Sequence, residues 1–182
     1  MYHGHDVGAV WSPHRFLLQR DKRKGKRIMS TRSIIARVLP NGQYQFLYCH
    51  WDGYPSHNGR ILLSSYTTQE KQNALFALGD LSVLGEEIGE KHIFDRRIID
   101  PNWPHHDWCC AYGRDRGEAG IEAKIVSDRE ELELRIDDSW AEFAYFWDGE
   151  TWFWRQVPGY KSEPNQWKWQ KLTEAVVNDD SF

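Results

Sequence analysis

The chain has 182 residues, of which 40% are hydrophobic and 27% charged, with a formal net charge of −4 at pH 7. These values are typical of one soluble globular domain, and no run approaches the roughly 18 apolar residues that a membrane-spanning helix needs. Three cysteines, two of them adjacent, argue against a disulfide framework and, with no apolar signal peptide, fit a reducing cytoplasm.

The first 28 residues differ in charge from the rest of the chain. They hold seven Lys or Arg and two Asp (net +5), whereas residues 29–182 hold 16 basic and 25 acidic side chains (net −9). The basic run at residues 20–27 is typical of a solvated tail, although such tails also contact nucleic-acid phosphates. Because the body is acidic, we expect contact with nucleic acid only through this N-terminal extension.

The same extension raises a question of translation. Lys, Arg and Gly have purine-rich codons, and the stretch Lys24-Gly25-Lys26-Arg27-Ile28 directly before Met29 can therefore encode a ribosome-binding site. We hypothesise that Met29 is the true or an alternative start, so that residues 1–28 are not part of the native product. The rest is expected to form a single domain over residues 29–177, with a frayed C-terminus at residues 178–182.

The first half of this domain is predicted to contain a hairpin and two helices. Residues 33–39 and 43–51 are rich in β-branched, aromatic and apolar residues, and Pro40-Asn41-Gly42 supplies the turn between them. Residues 58–66 have near-helical apolar spacing, and Thr67 or Thr68 caps a second helix that ends at Gly79. Residues 80–107 form a long irregular passage of the kind that is often functional.

The second half adds strands and a short acidic helix. Strands are predicted at residues 108–112 and 120–126, followed by a helix at residues 128–135 with Ser127 as its cap. Asp148-Gly149 is a strong turn signal between two further strands, and residues 167–177 read as a strand and a short helix. The sum is an α+β domain, an antiparallel sheet with two or three helices packed on it.

A dense polar segment follows the second strand, where loops on a rigid scaffold commonly carry binding residues. Its candidate ligand-binding residues are His50, Trp51, Asp52, Tyr54, Asn58 and Arg60. Cys49 is assigned to the core, since adjacent strand residues point to opposite faces. His50 and Asp52, two positions apart, are expected to share a face, either for acid–base chemistry or as a structural hydrogen bond.

A second polar segment, just past a predicted strand, is Tyr112-Gly113-Arg114-Asp115-Arg116-Gly117-Glu118. Its candidate ligand-binding residues are Arg114, Asp115, Arg116 and Glu118. Guanidinium groups bind phosphate or carboxylate in a bidentate manner, and neighbouring acids can orient them, so the segment suits an anionic or nucleotide-like ligand. The alternative is an exposed turn with weak local ion pairs. If both segments lie at one end of the sheet, they form one cleft.

Metal and cofactor sites are not predicted. The histidines and cysteines show no Cys-x-x-Cys or His-x-x-x-His spacing, and neither a Walker nor a Rossmann glycine pattern is present. We therefore assign no metal ligands, no cofactor and no established catalytic residue.

Four segments of the chain resemble a family of small proteins encoded by bacteriophages and prophages. They are Met29-Ser30-Thr31-Arg32-Ser33, Tyr48-Cys49-His50-Trp51-Asp52-Gly53-Tyr54-Pro55, Gly79-Asp80-Leu81-Ser82-Val83-Leu84-Gly85 and Tyr112-Gly113-Arg114-Asp115-Arg116-Gly117-Glu118. The resemblance covers roughly residues 29–150 and carries no known activity. It implies an accessory protein in the host cell cytoplasm that modifies a host process or counters host defence.

Three functional hypotheses follow. The first is a non-catalytic anti-defence inhibitor that binds a host defence protein or sequesters a nucleotide-like anionic ligand through the two segments. The second is a small enzyme acting on a nucleotide or phosphodiester, with acid–base chemistry by His50, Asp52 and Glu118. The third is an interaction domain whose exposed aromatic surface binds protein.

Overall fold

A computed structural model describes residues 30–159 and 167–179 of the chain. Eight strands form one sheet in the order β4-β3-β2-β1-β6-β7-β8, and β5 pairs with the first half of β2. The strands are β1 (Ser33–Val38), β2 (Tyr44–Cys49), β3 (Leu81–Val83), β4 (Cys110–Ala111), β5 (Lys124–Val126), β6 (Phe143–Trp147), β7 (Trp152–Gln156) and β8 (Gln170–Lys171).

In the described part of the chain, six short α-helices accompany the sheet, and a π-helical turn at Pro55–Gly59 leads directly into the first of them. The helices are α1 (Arg60–Ser65), α2 (Gln69–Ala77), α3 (Arg96–Ile99), α4 (Tyr112–Arg116), α5 (Arg129–Asp137) and α6 (Glu174–Val177). The predicted α+β class is confirmed. The sheet is mixed, however, because β1 pairs with β6 and β2 pairs with β3 in parallel, while the other pairings are antiparallel.

The parallel pairing of β1 and β6 places the two most apolar strands at the centre of the sheet. Both are buried along nearly their whole length, whereas a strand with one solvent-exposed face would show alternating buried and exposed residues. Ile35 and Tyr145 belong to the core on one face, which α1 and α2 cover, whereas Ile34 and Ala144 belong to the core on the other face, which α5 covers. Helices therefore cover both faces.

Local turn and cap signals are mostly confirmed. Gly42 and Gly149 adopt positive φ values of 84° and 106° in the two hairpin turns, a conformation that glycine accepts without strain. Thr68 caps α2 by accepting a hydrogen bond from the Lys71 amide at 3.3 Å. The prediction of Ser127 as the cap of α5 is wrong. The cap is Asp128, whose Oδ1 accepts from the Glu131 amide at 2.9 Å.

The strand predicted at residues 108–112 is also shorter than expected, since only Cys110–Ala111 pairs with β3 and Tyr112 begins α4. The N-terminal extension at residues 1–28 and most of the expected frayed end lie outside the described residues. Within the described part of the chain, no helix is both long and apolar enough to cross a membrane.

Candidate functional site

The first polar segment follows the end of β2, continues to pair with β3, and then turns sharply. The amides of His50 and Trp51 donate to the Leu81 and Ser82 carbonyls at 3.0 Å, so the extended pairing continues past the strand end. It stops at Asp52, whose φ of 56° is left-handed. Gly53 then packs on the start of β1 so closely that a Cβ would lie 2.7 Å from the Arg32 carbonyl carbon.

His50 sits in a polar cluster on the same face as Tyr48. The Tyr48 hydroxyl and His50 Nδ1 are 2.8 Å apart and share a hydrogen bond, and the Trp51 ring meets the imidazole edge-on at 4.9 Å. Burial and the nearby Arg32 guanidinium lower the pKa of His50. Arg32 in turn binds the buried carboxylate of Glu142 at 2.8 Å. The imidazole is therefore held neutral near pH 7.

Asp52 is oriented by groups other than His50. Its carboxylate lies 3.6 Å from Arg97 Nη2 and accepts a hydrogen bond from the Tyr54 hydroxyl at 3.3 Å. The expected common face for His50 and Asp52 rested on strand alternation, and the left-handed backbone at Asp52 ends that alternation. Asp52 and Tyr54 remain half-buried and accessible to a partner.

Asn58 and Arg60 serve the scaffold. The Asn58 side chain is fully buried, and its Nδ2 donates to Ser33 Oγ, Cys49 Sγ and the Trp51 carbonyl at 3.1–3.4 Å. It locks the π-helical turn onto the ends of β1 and β2, so Asn58 is unavailable to a ligand. Arg60 is exposed and donates to the Val177 carbonyl at 3.3 Å, at the end of α6.

Arg114 and Asp115 are likewise committed to structure. The Arg114 guanidinium donates to the carbonyls of Ile88, Gly89 and Cys109 and binds both oxygens of Asp115 at 2.8–2.9 Å. Burial opposes ionisation of Asp115, yet these bonds and those from the Ala111 and His92 amides outweigh it and lower its pKa. Both residues tie the long passage after β3 to α4. All five N–H groups of Arg114 are used in these bonds, so none remains for a phosphate.

Arg116 and Glu118 keep the character of a binding surface. The Arg116 side chain is 40% exposed and lies 3.0 Å from the Glu118 carboxylate. Its guanidinium also rests over the rings of Phe94 and Tyr112, at 5.1 and 5.8 Å from their centres. Such a half-exposed guanidinium on an aromatic platform can bind an anion or a π-system.

The two polar segments are joined by residues 94–100, here called the bridging segment. Arg97 contacts Asp52 of the first segment, while Phe94 packs on Tyr112 of the second with ring centres 5.4 Å apart. Between them Asp95 has a left-handed φ of 57°, and burial raises its pKa against the opposing effects of Arg116 and Arg97. Sequence reasoning missed this segment, although Asp95-Arg96-Arg97 concentrates charge within the long passage.

The bridging segment carries an apolar exterior. Helix α3 buries none of its own residues, and Ile98 and Ile99 are 65% and 68% exposed. Ile93, just before the segment, is 59% exposed. A helix whose apolar side chains face solvent gains little stability from packing within its own chain.

One group within the described ranges has donor atoms suited to a metal ion, namely His92, Cys110 and Asp115, with these atoms within 4.8 Å of one another. Burial raises the pKa of the Cys110 thiol to about 11, which opposes formation of a thiolate. The Asp115 carboxylate already accepts four hydrogen bonds, two of them from Arg114. A metal would have to displace them, so the group is better read as structural.

Comparisons with protein-family models, curated proteins and solved structures give no significant match. The interpretation of the site therefore depends on its own geometry and chemistry.

Proposed function

We propose that this chain is a bacteriophage or prophage accessory protein that inhibits a host defence protein by binding it through the surface centred on the bridging segment. The observation that carries the proposal is the position of α3. Its Arg97 pairs with Asp52 of the first polar segment, it buries none of its own residues, and it presents Ile98 and Ile99 to solvent. Phe94, just before α3 in the bridging segment, packs on Tyr112 of the second polar segment. The phage context is supported by the resemblance of residues 29–150.

The residue types around α3 support protein binding. Stable interfaces have an apolar centre with aromatic and arginine anchors and a polar rim. Here the exposed isoleucines supply the apolar centre, while Arg97 and Arg116 are arginines held in place by Asp52 and Glu118. Because these ion pairs restrain the two arginines before binding, the arginines lose less side-chain entropy when a partner docks.

A nucleotide-like anionic ligand is the second candidate, and Arg116 is the observation that favours it. Its guanidinium, stacked on Phe94 and Tyr112, could bind a phosphate while a neighbouring ring stacks on a base. With Arg114, Asp115 and Asn58 committed to the scaffold, this candidate has fewer ligand groups than the sequence led us to expect. If His50, Asp52 and Glu118 convert a bound nucleotide or phosphodiester, the protein is an enzyme and this surface is its active site.

Co-expression with host proteins tests the proposal. The double variant Ile98→Asp/Ile99→Asp should lose a co-purifying host protein that the native chain retains in a fixed stoichiometry and rebinds when both are purified. The control is Ile125→Asp, which makes the same type of substitution at one exposed isoleucine of β5, and it should retain the partner. Each single variant, Ile98→Asp and Ile99→Asp, matches this control in charge and should weaken retention.

Mass spectrometry of small molecules released by denaturation separates the alternatives. An unchanged nucleotide that disappears in Arg116→Ala, with no host protein bound, would replace protein binding by ligand sequestration. Conversion of an added nucleotide, lost in His50→Gln, would establish the enzyme. Equal partner retention by the isoleucine double variant and its control would exclude α3 as the docking surface.

A further inference from the structure

A second surface, on the opposite edge of α5 from its buried side, carries an unusual combination of groups. Leu132 and Ile136 turn inward to the core, whereas Leu134, two residues away on the outer side, is 60% exposed. Glu130 and Asp138 lie one turn before and one turn after Leu134, so the three form a row along the helix. The row ends two residues before Trp140.

Asp138 contradicts the electrostatic preference of its position. It is the C-terminal cap of α5, where unpaired carbonyls make the helix end negative and a carboxylate is unfavourable. The adjacent Asp137 is compensated by Arg155 at 2.7 Å. In the part of the chain that the structure describes, neither Asp138 nor Glu130 has an ion pair. Among the described residues, therefore, no basic side chain compensates the negative charge of Asp138 at this helix end.

Trp140 breaks two further local preferences. It is 82% exposed, and its φ of 61° is left-handed, a conformation that is unfavourable for a bulky residue. The turn that imposes this backbone is held by the Ser139 hydroxyl, which donates to the Ile136 carbonyl at 2.6 Å and accepts from the Ala141 amide at 3.3 Å. A strained, exposed tryptophan two residues after a carboxylate that has no ion pair within the described ranges is a pattern expected of functional positions.

The basic side chains of α5 are engaged away from this row. The Arg129 guanidinium lies 4.1 Å from the centre of the Phe146 ring and binds Glu133 at 2.6 Å. Arg135 pairs with Glu131 at 3.2 Å. The positive charges near the helix are therefore largely used within it, and the outer row remains acidic around two exposed apolar side chains.

We infer that Glu130, Leu134, Asp138 and Trp140, here called the acidic face, form a docking site for a basic polypeptide segment of a partner protein. Charge complementarity identifies the occupant, because the two carboxylates and the negative helix end attract Lys or Arg. Trp140 would take a guanidinium by a cation–π contact or an apolar side chain by burial, and Leu134 extends that apolar contact. This site is separate from the surface around α3.

The test uses the full chain and synthetic peptides, with binding followed by fluorescence anisotropy. The probe is a labelled 16-residue peptide with arginines on one helical face and leucines on the other. Two control peptides replace the leucines by serine or the arginines by glutamate. We expect binding of the arginine–leucine peptide alone, weakened by added salt, because the acidic face needs both charge and apolar contact.

Variants then assign the binding to the acidic face. Trp140→Gly should weaken binding at least about tenfold, as expected for a central aromatic anchor, and Asp138→Lys should also weaken it. Both should leave the melting temperature unchanged or raise it, since each relieves an unfavourable local feature, so a loss of fold cannot explain lost binding. Ile125→Ser, on the exposed β5, is the control and should bind normally.

Two results would overturn the inference. The first is equal affinity of the native chain, Trp140→Gly and Asp138→Lys for the peptide. The second is a Trp140 indole NMR signal, assigned through Trp140→Phe, that does not shift on peptide addition or is already shielded from solvent in the free chain, which would indicate that the chain's own residues occupy the face.

Discussion

Arg114 and Arg116 are two residues apart and would be grouped together by any motif, yet Arg114 stabilises the scaffold and Arg116 lies at the surface. Arg114 donates all its N–H groups to three backbone carbonyls and to the Asp115 carboxylate. The side chain of Asp115 is buried. Arg116 makes one exposed ion pair and rests on aromatic rings. The difference arises because Arg114 points to the backbone of Ile88, Gly89 and Cys109, whereas Arg116 points to the ring of Phe94 in the bridging segment.

Replacing these arginines should therefore have unequal effects on stability. Arg114→Ala removes the partner of a buried carboxylate, so we expect a loss of about 3 kcal/mol in the free energy of unfolding. Arg116→Ala breaks an exposed pair and should cost less than about 1 kcal/mol. Urea denaturation measures both. Equal losses would show that Arg114 does not hold the passage to α4.

His50 provides a pH prediction at the same scale. Burial and Arg32 lower its pKa from the ordinary value of 6.5. Below pH 6.5 the unfolded chain therefore binds a proton that the folded chain does not, and stability should fall as the pH decreases through this window. NMR titration of the imidazole should give a pKa below 6.5, and His50→Gln should flatten the pH dependence of unfolding between pH 6.5 and the folded-state pKa. A pKa at or above 6.5 would contradict the described environment.

Among the elements, the short helices depend on their caps and neighbours. Helix α5 has nine residues, too few to be stable alone in water, and its start is set by Asp128. Ser127 was the natural choice from sequence, since both residues cap helices well. Its hydroxyl instead donates to the carboxylates of Asp128 and Glu131 at 3.1 and 3.4 Å.

The cap can be identified by mutation. Asp128→Ala should lower the melting temperature more than Ser127→Ala, because only Asp128 satisfies the Glu131 amide in the first turn. Circular dichroism melts of the two variants provide the comparison. A larger effect of Ser127→Ala would instead restore the cap predicted from sequence.

Helix α3 contributes no buried residue to the core. Its amides bond within one turn, with those of Ile98 and Ile99 donating to the Asp95 carbonyl at 2.9 and 3.2 Å, and none of its residues is buried. We expect these amides to exchange hydrogen at least about a hundredfold faster than the amides of β1. A bound partner should slow the exchange at α3 specifically, and protection as strong as that of β1 in the free protein would contradict an unpartnered helix.

At the scale of the whole molecule, one sheet separates two cores, and β1 contributes to both. Ile35 and Ile34 are adjacent but pack on opposite faces, under α1 and α2 on one side and α5 on the other. Because every helix layer rests on the same central strands, the two cores are expected to unfold together.

Substitutions in β1 test this coupling. Ile34→Ala and Ile35→Ala should each reduce the free energy of unfolding by about 3 kcal/mol, since each opens a cavity in a buried core. Both should retain a single transition by fluorescence and circular dichroism. Ile125→Ala, at an exposed position on β5, should change the free energy of unfolding by less than about 0.5 kcal/mol. Separate transitions would show that the two cores are independent units.

The candidate site was only partly accessible from sequence. The polar segments were recognised because strand ends and glycines mark them, and Arg116, Glu118, Asp52 and Tyr54 do lie on an accessible surface. The scaffold roles of Asn58 and Arg114 could not be anticipated, since a polar side chain looks the same whether its partners are ligands or distant carbonyls. The bridging segment was missed because no periodicity or motif marks it.

The sequence by itself determined the features that depend on neighbours along the chain, namely the α+β class, the two hairpins with glycine turns and the helix capped by Thr68. Only the tertiary structure decided the parallel pairing of β1 with β6, the ion pair of Arg32 with Glu142 across 110 residues, and the contacts of the bridging segment with both polar segments. The reason is that turns and caps are short-range interactions, whereas strand order and loop packing depend on how the whole chain buries its apolar surface.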